Sequence, residues 1–520
     1  TRVTRAAGIV GAATFLSRIF GYIRDMVLAG FFGAGPLTDA FIAAFRIPNL
    51  LRRLFGEGSL GISFIPVFSE SLEKDGKQEA FRLAHSAVRL LSVVLVIAAV
   101  LGILLAPWIT RAIAYGFTGS PEQFSLTVTL TRIMFPYIFF IGIVALFMGI
   151  LNVLGHFAAP ALAPVLLNVA MIGSVLLGSR VTDDPTARLY WLAGGVVVGG
   201  LLQLFFQIPF LVKNGFHFWR KAKMIHPGLK KIAAMLLPAT FGAAAFQMNT
   251  LIGQFLASFQ PAGSISYLYF ADRLVQFPLG IFGISTATAV LPIFARQSAA
   301  EDFEGLKDTF SYSMNLVFFI TVPAMVGLIV LREPIVALLF QRGAFSAEAV
   351  KLTAHALLYY AIGMWAFAAV RIVVAVFYAM QDTATPVKIA LISIAANFLL
   401  GISLMGPMGF GGLALALSIS MILNLVFLAV ALRLRLGALG GKKITASACQ
   451  TAACSAIMGA VVWLIADNIF PVENSAPLAI AAGLALSILA GLLVYGALSY
   501  FFRGLELKRL FKLTRGGAEK

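Results

Sequence analysis

The segment from residue 14 to residue 58 combines two properties that seldom occur together. It contains two apolar stretches long enough to cross a bilayer, and both carry charged side chains. These charges are Arg18, Arg24, Asp25, Asp39, Arg46, Arg52, Arg53 and Glu57. A charge near the centre of a bilayer costs at least about 2.5–3.5 kcal/mol on the insertion scale. Because a purely structural span needs no such residues, the segment predicts a functional polar site that the rest of the chain encloses.

The spacing of the charges places them on helical faces. In the second stretch, successive charges follow at intervals of seven, seven and four residues, which keeps them along one stripe of a helix. The stripes consist of Asp39, Arg46, Arg53 and Glu57 in the second stretch and of Arg18 and Asp25 in the first. Pro48 lies inside the second stretch, where a proline kinks a helix.

The composition indicates a polytopic membrane protein. Of 520 residues, 60% are hydrophobic and only 12% are charged, about half the charged fraction of soluble domains. We count about fourteen apolar spans, among them the second at 37–69, the ninth at 309–331, the eleventh at 385–405 and the twelfth at 409–433. This count predicts an all-α membrane protein with both termini on one side. The loops 213–231 and 433–443 and the tail are basic, so the positive-inside rule predicts cytoplasmic termini. The net charge of +17 arises mainly from these loops, the tail and the arginine set, and we do not expect nucleic acid as a partner.

An internal repeat relates the first twelve spans. Three residue pairs are separated by nearly the same distance along the chain: Pro66 and Pro292, Pro160 and Pro386, and Gly116 and Gly343. The repeat predicts two parallel six-helix lobes, which places a substrate site near the membrane midplane. The predicted domains are an N-lobe at 1–215, a C-lobe at 216–437, two extra helices at 438–505 and a basic cytoplasmic tail at 506–520.

The predicted site has more arginines than acids. By the repeat offset, Asp272 and Arg273 lie opposite the charges of the second span. Six arginines, counting Arg46, then face the four acids Asp25, Asp39, Glu57 and Asp272. A guanidinium keeps its proton and binds phosphate bidentately, which favours an anionic, phosphate-bearing substrate. Three alternatives stay open: a salt-bridge network that only fixes helix packing, a cation or drug antiporter, and a scaffold without transport.

The sequence gives no pattern for catalysis or for a cofactor. The histidines and the two cysteines, Cys449 and Cys454, lack metal-ligand spacing, and there is no Walker motif. We therefore expect no enzyme, no metal and no cofactor. Gly195 and Gly199 form a GxxxG pattern, which is typical of close helix packing in membranes.

Several motifs are specific enough to carry a resemblance. They are SRIFGYIRD at 17–25, FGAGPLTDAF at 32–41, RIPNLLRRLFGEG at 46–58, FIPVFSE at 64–70 and YFADRLVQFP at 269–278. With these motifs the chain resembles the MurJ (MviN) family of bacterial inner-membrane flippases, in the multidrug/oligosaccharidyl-lipid/polysaccharide exporter superfamily. The resemblance implies transport of lipid II, a polyprenyl-pyrophosphate-linked disaccharide-pentapeptide, from the inner to the outer leaflet of the cytoplasmic membrane for peptidoglycan synthesis.

The resemblance also implies roles for individual residues. The family's essential charged positions match Arg18, Arg24, Asp39, Arg52 and Arg273, with Arg53 and Glu57 in the same motif. Our hypothesis is that Arg24, Arg52 and Arg273 bind the pyrophosphate and that Arg18 and Arg53 supplement them. Asp25, Asp39, Glu57 and Asp272 would balance charge and take part in gating. Some members carry Glu where Gln276 stands.

The expected partners follow from the same resemblance. They are lipid II, membrane lipids and contacts with the cell-wall synthesis machinery, for a monomer whose two extra helices form a groove for the lipid tail. A flippase for another polyprenyl-linked glycan shares all of this physical chemistry, and only the family motifs disfavour it.

Overall fold

The computed structural model describes residues 2–54, 60–217, 226–469 and 477–516. Throughout these ranges the regular structure is helical, which confirms the predicted all-α class. By its internal contacts the chain divides into two compact units. The first comprises Thr1–Ser266 with Arg342–Phe345, and the second comprises Tyr267–Gln341 with Ser346–Lys520.

The first unit is built from long helices interrupted near prolines and glycines. Its helices are α1 (Arg2–Phe32), α2 (Pro36–Leu54), α3 (Leu60–Lys74), α4 (Gly76–Leu104), α5 (Ala106–Ile113), α6 (Pro121–Met134), α7 (Tyr137–Val153), α8 (Ala158–Val181), α9 (Pro185–Lys213) and α10 (Pro227–Ala257). A 3-10 turn, Tyr115–Gly119, joins α5 to α6. The predicted second span therefore contains α2 and α3, and its residues 55–59 lie outside the described ranges.

The second unit continues with the helices α11 (Ser264–Pro278, which begins in the first unit), α12 (Ile284–Ala299), α13 (Phe303–Val330), α14 (Arg332–Phe340), α15 (Ala347–Ile362), α16 (Met364–Ala379), α17 (Ala384–Leu436), α18 (Gly441–Ile469) and α19 (Pro477–Gly516). Helix α17 is broken at Gly409, where φ is 57° and ψ is −143°. Glycine adopts this conformation at little cost. The break divides α17 into two spans at the boundary that the sequence predicts, between residues 405 and 409.

Helix boundaries repeat along the chain with one offset. Three pairs of helices begin at the same separation that relates Pro66 to Pro292: α5 and α14 at Ala106 and Arg332, α6 and α15 at Pro121 and Ala347, and α8 and α17 at Ala158 and Ala384. Because the same short helices and breaks recur in the same order, the internal repeat extends from the sequence to the local structure.

Many of the helices are long and apolar enough to cross a membrane. In the described part of the chain, ten helical stretches meet this criterion by length and composition. The broken α17 counts once among the ten but contains two spans. Three further long elements are α1, α10 and the pair α2–α3. Together these make fourteen, so the predicted number of spans is compatible with the structure. On α4, a row of apolar side chains is about half exposed: Val94, Ile97, Val100, Leu101 and Leu104. Such a row suits a surface that faces lipid.

Helices α8 and α9 approach closely at two glycines. A Cβ at Gly195 would overlap the hydroxyl of Ser174, and a Cβ at Gly199 would lie 2.7 Å from Cδ1 of Leu167. The side-chain amide of Gln203 on α9 donates to the Ala163 carbonyl at 2.9 Å. This geometry confirms the predicted packing role of the GxxxG pattern.

In the second unit, the two C-terminal helices pack against α13. Cys454, Met458 and Val462 of α18 and Ile480 and Leu484 of α19 bury one apolar cluster. The hydroxyl of Tyr495 on α19 donates to the carbonyl of Phe319 on α13 at 2.7 Å. The two helices without repeat partners are thus anchored to the ninth predicted span.

Candidate functional site

Arg24 and Asp25 form a buried charged pair in one turn of α1. Nε and Nη2 of Arg24 donate to Oδ1 of Asp25 at 3.0 and 2.7 Å, and Nη1 donates to Oδ1 of Asn168 on α8 at 3.1 Å. The Arg24 side chain is 7% exposed and that of Asp25 is 1% exposed. Because a guanidinium stays charged, its burial requires such partners.

Asn168 links this turn to two helices. Its amide nitrogen lies 3.4 Å from the carbonyl oxygen of Ser17 on α1 and 3.3 Å from that of Pro164 on α8. The amide oxygen is thereby turned toward Arg24. Since Asn168 is 7% exposed, its amide has little freedom to turn elsewhere. Asn168 therefore orients the Arg24 guanidinium through a neutral amide, which does not offset the positive charge.

The side chain of Asp39, a residue of α2, reaches the beginning of α11. Its carboxylate accepts hydrogen bonds from the backbone N–H groups of Gly263 and Ser266 at 2.6 and 2.8 Å and from the Ser266 hydroxyl at 2.5 Å. A carboxylate at this position satisfies amides that have no partner within the helix and complements the helix dipole. Asp39 is 2% exposed, so these bonds are shielded from water. Its predicted role in charge balance among the arginines stays a prediction.

The last turn of α2 carries two of the predicted arginines. Arg52 and Arg53 are half-buried, and Nε of Arg52 donates to Oδ1 of Asn49 at 3.1 Å. Basic residues at a helix C-terminus complement the helix dipole. Glu57 lies outside the described residues. On α1, Arg18 is half-buried one and a half turns before the buried charges.

Arg46 occupies the middle of α2. Its Nε donates to the side-chain oxygen of Gln254 on α10 at 2.5 Å. The bond joins a helix of the first repeat to a helix of the second repeat, and both helices belong to the first unit. Sequence spacing places Arg46 on the charged stripe but gives no sign of this partner.

In the second unit, α11 carries Asp272 and Arg273. Nη2 of Arg273 lies 3.1 Å from the hydroxyl oxygen of Tyr269, and its Cζ lies 5.2 Å from the centroid of the Tyr269 ring, which is within cation–π range. Gln276 donates to Asp272 over a long 3.4 Å. A π-helical segment, Leu279–Gly283, follows directly, and such segments often occur at functional sites.

Other charges join α3 and α4 to the first turns of α10. Glu70 lies 2.9 Å from Lys74 and 3.5 Å from Lys231. The hydrogen bond from Lys74 and then the charge of Lys231 lower the pKa of Glu70 below its ordinary value. Glu79 accepts from Nε2 of His226 at 3.1 Å. These pairs lie at the end of the helices that the sequence predicts to be cytoplasmic.

The structure thus brings some predicted site residues together and gives others local partners. Arg24 and Asp25 are in contact. Asp39, Arg52 and Arg53 lie in the first unit together with this pair. Arg273 and Asp272 belong to the second unit.

The neutral partners Asn168, Tyr269 and Asn49 are absent from our sequence prediction. Two of them have a signal that could have been found: Asn49 lies three residues before Arg52 and Tyr269 four before Arg273, which are spacings of neighbours on a helix. Asn168 has the weaker signal of a single amide within an apolar span.

Its long apolar helices, with Arg24 buried between α1 and α8, place the chain in the class of polytopic α-helical membrane proteins. At the level of the fold, it matches the inward-facing structure of a multidrug resistance MATE family transporter of the MOP superfamily, with a TM-score of 0.66 and 16% identity, over 84% of this chain and 99% of the other. This likeness shows the fold alone.

Closer relatives define the family. A family model described as lipid II flippase MurJ matches residues 28–481. The chain is 38% identical over 434 residues to a probable lipid II flippase MurJ of Vibrio cholerae, covering 82% of each chain. It is 36% identical over 437 residues to the lipid II flippase MurJ of Burkholderia cenocepacia, covering 83% of this chain and 84% of the relative. A solved structure of lipid II flippase MurJ in an inward closed conformation matches with a TM-score of 0.80 and 27% identity, over 95% of this chain and 98% of the other. The chain belongs to the MurJ lipid II flippase family.

Proposed function

We propose that this protein flips lipid II from the inner to the outer leaflet of the bacterial cytoplasmic membrane. Family membership supports the substrate, because the relatives are named for it. The observation that supports phosphate binding is the burial of the Arg24 guanidinium in a membrane helix, where Asp25 and Asn168 orient it. A site that keeps such a charge in place suits a phosphate-bearing head group.

The head group is what makes unaided flipping slow. Each charge brought to the centre of a bilayer costs at least about 2.5–3.5 kcal/mol, and a pyrophosphate carries more than one. Arg24, Arg52 and Arg273 bind the pyrophosphate, and Arg18 and Arg53 strengthen the positive field. Asp25, Asp39, Glu57 and Asp272 limit the net charge when substrate is absent. The polar head group then crosses without entering hydrocarbon.

The remaining parts of the proposal concern the transport cycle. Both termini are cytoplasmic, and the lobes of the repeat alternate between inward-open and outward-open states. The polyprenyl tail stays in lipid along α18 and α19. Charges that move during the cycle couple it to the membrane potential, at roughly 2.3 kcal/mol per charge per 100 mV. The working unit is a monomer that contacts the cell-wall synthesis machinery.

Complementation tests the substrate and the arginines together. Cells depleted of their own lipid II flippase receive the wild type, Arg24→Ala, Arg52→Ala or Arg273→Ala, and membrane levels of each are measured. Arg24→Lys keeps the charge but loses the planar fork, and Arg82→Ala removes an arginine whose side chain is 68% exposed on α4. We expect rescue by the wild type and Arg82→Ala, loss of rescue by the three alanine variants, and weak rescue by Arg24→Lys.

Different failures have different meanings. If the wild type reaches normal levels and does not rescue, another polyprenyl-linked glycan becomes the better substrate. If the three alanine variants rescue fully, the arginines fix helix packing only and the proposed binding site is wrong.

A further inference from the structure

Gly116, in the turn between α5 and α6, lies against the loop that follows α10. Its N–H donates to the hydroxyl oxygen of Ser258 at 3.0 Å. A Cβ at this position would overlap the Ser258 carbonyl group and lie 2.6 Å from the backbone nitrogen of Phe259. The rings of Tyr115 and Phe259 lie nearby, with centroids 6.1 Å apart. The two loops therefore touch backbone to backbone, which requires glycine.

Gly343, in the loop between α14 and α15, makes a similar contact with the end of α1. The N–H of Ala344 donates to the Gly30 carbonyl at 2.8 Å. A Cβ at Gly343 would overlap the Gly30 carbonyl oxygen, and a Cβ at Gly33 would overlap the carbonyl oxygen of Ala344. Gly33 and Gly343 have φ values of 66° and 54°, which side-chain-bearing residues seldom adopt.

The two contacts are equivalent under the internal repeat. The offset that relates the prolines also relates Gly33 to Phe259, and Gly116 and Gly343 have nearly the same separation. In each case, the loop after the third span of one repeat touches the loop between the first two spans of the other repeat. All of these residues belong to the first unit. By the predicted topology, all four loops lie on the side opposite the termini.

We propose that these contacts form two latches that close the outer side of the protein together and release together. The Gly116 latch consists of Gly116, Ser258 and Phe259, and the Gly343 latch consists of Gly343, Ala344, Gly30 and Gly33. Each latch joins the two repeats largely through backbone atoms, so it can open without repacking a core. Because each repeat contributes one side of both latches, movement of one repeat against the other strains both. The proposal rests on the alternating-access function proposed above.

Cross-linking at one latch while the other is weakened tests their coupling. Tyr115→Cys and Phe259→Cys are introduced together after Cys449→Ala and Cys454→Ala remove the native thiols. The rate of cross-linking by a short bifunctional thiol reagent is measured in purified protein without lipid II. The Gly343 latch is weakened by Gly343→Ala or by the milder Gly30→Ala, whose Cβ would lie 3.1 Å from the flexible Arg342 side chain.

We expect Gly343→Ala to slow cross-linking at the Gly116 latch at least about fivefold, which is the lower end of typical coupling between distant sites. We expect Gly30→Ala to slow cross-linking by a smaller factor. Gly119→Ala is the matched control in the Gly116 turn, because a Cβ there meets no atom within 4 Å, and we expect no change. An unchanged rate in both Gly343→Ala and Gly30→Ala overturns the coupling, as does an equal loss in Gly119→Ala. If Gly343→Ala fails to fold, Gly30→Ala decides. Because lipid II is absent from the assay, preserved coupling in a protein that flips no lipid II would refute the proposed function and leave the latches standing.

Discussion

Replacing Asn168 by alanine removes the amide oxygen that accepts from Nη1 of Arg24 at 3.1 Å. It also removes the amide nitrogen near the Ser17 carbonyl on α1. Arg24 then keeps its two hydrogen bonds to Asp25 but loses the neutral acceptor that holds Nη1. We predict that the guanidinium collapses further onto Asp25 and becomes less available to a phosphate.

The magnitude follows from the charge on the donor. A hydrogen bond to a charged group contributes about 1.5–3 kcal/mol, which corresponds to roughly a 10- to 150-fold change in a binding constant. We expect the Kd for lipid II, measured with the protein in nanodiscs, to rise by about this factor in Asn168→Ala. Gln203→Ala is the matched control, because it removes another buried amide, one that contacts α8 at Ala163. It should lower the melting temperature and leave the Kd unchanged.

A double-mutant cycle separates positioning from general damage. If Asn168 acts through Arg24, adding Asn168→Ala to Arg24→Ala should change the Kd less than about twofold, because the coupled partner is already absent. If Asn168→Ala weakens binding equally in both backgrounds, Asn168 does not act through Arg24. An unchanged Kd in the single variant refutes the positioning role directly.

Three further predictions concern other contacts. Asp39→Asn keeps the size of the side chain but loses the charge that accepts two backbone N–H groups at the start of α11. Thermal unfolding should show a loss of about 1–3 kcal/mol in the free energy of unfolding. A smaller loss than in Ser266→Ala would contradict the importance of the Asp39 charge. Gly199→Val on α9 should cost about 1–3 kcal/mol by overpacking against Leu167, whereas Gly194→Val, with no atom within 4 Å of its Cβ, should cost far less; equal melting temperatures refute the close packing. Tyr269→Phe should weaken lipid II binding through loss of the hydroxyl, and Tyr269→Leu should weaken it more because the ring beneath Arg273 is also lost; the reverse order would exclude the ring contact.

Much of the fold could be predicted because its signals are local. Apolar length gives the spans, and the constant offset between prolines reappears in the starts of α5 and α14 and of α8 and α17. The span boundary near residue 409 follows from a proline- and glycine-containing segment that interrupts an apolar run. The GxxxG of α9 is likewise a pattern within one helix.

The partners of the site residues could not be predicted, because they depend on tertiary contacts. Asp39 accepts hydrogen bonds from the start of α11, 224 residues later in the chain, and Arg24 meets Asn168 across 144 residues. Spacing identifies a charge within a span but cannot say whether its neighbour is another charge, an amide or a helix terminus. Only the packing of α1 on α8 and the position of the Asp39 carboxylate at the first residues of α11 determine these partners.

We propose that oriented arginines let this protein move a pyrophosphate-linked lipid across a bilayer. The most direct measurement is the appearance of fluorescent lipid II in the opposite leaflet of proteoliposomes that contain the purified protein alone. We predict flipping by the wild type and by Arg82→Ala, and a large loss in Arg24→Ala, Arg52→Ala and Arg273→Ala at equal protein density. Flipping at the wild-type rate in all three arginine variants would show that these arginines are not needed to move the pyrophosphate.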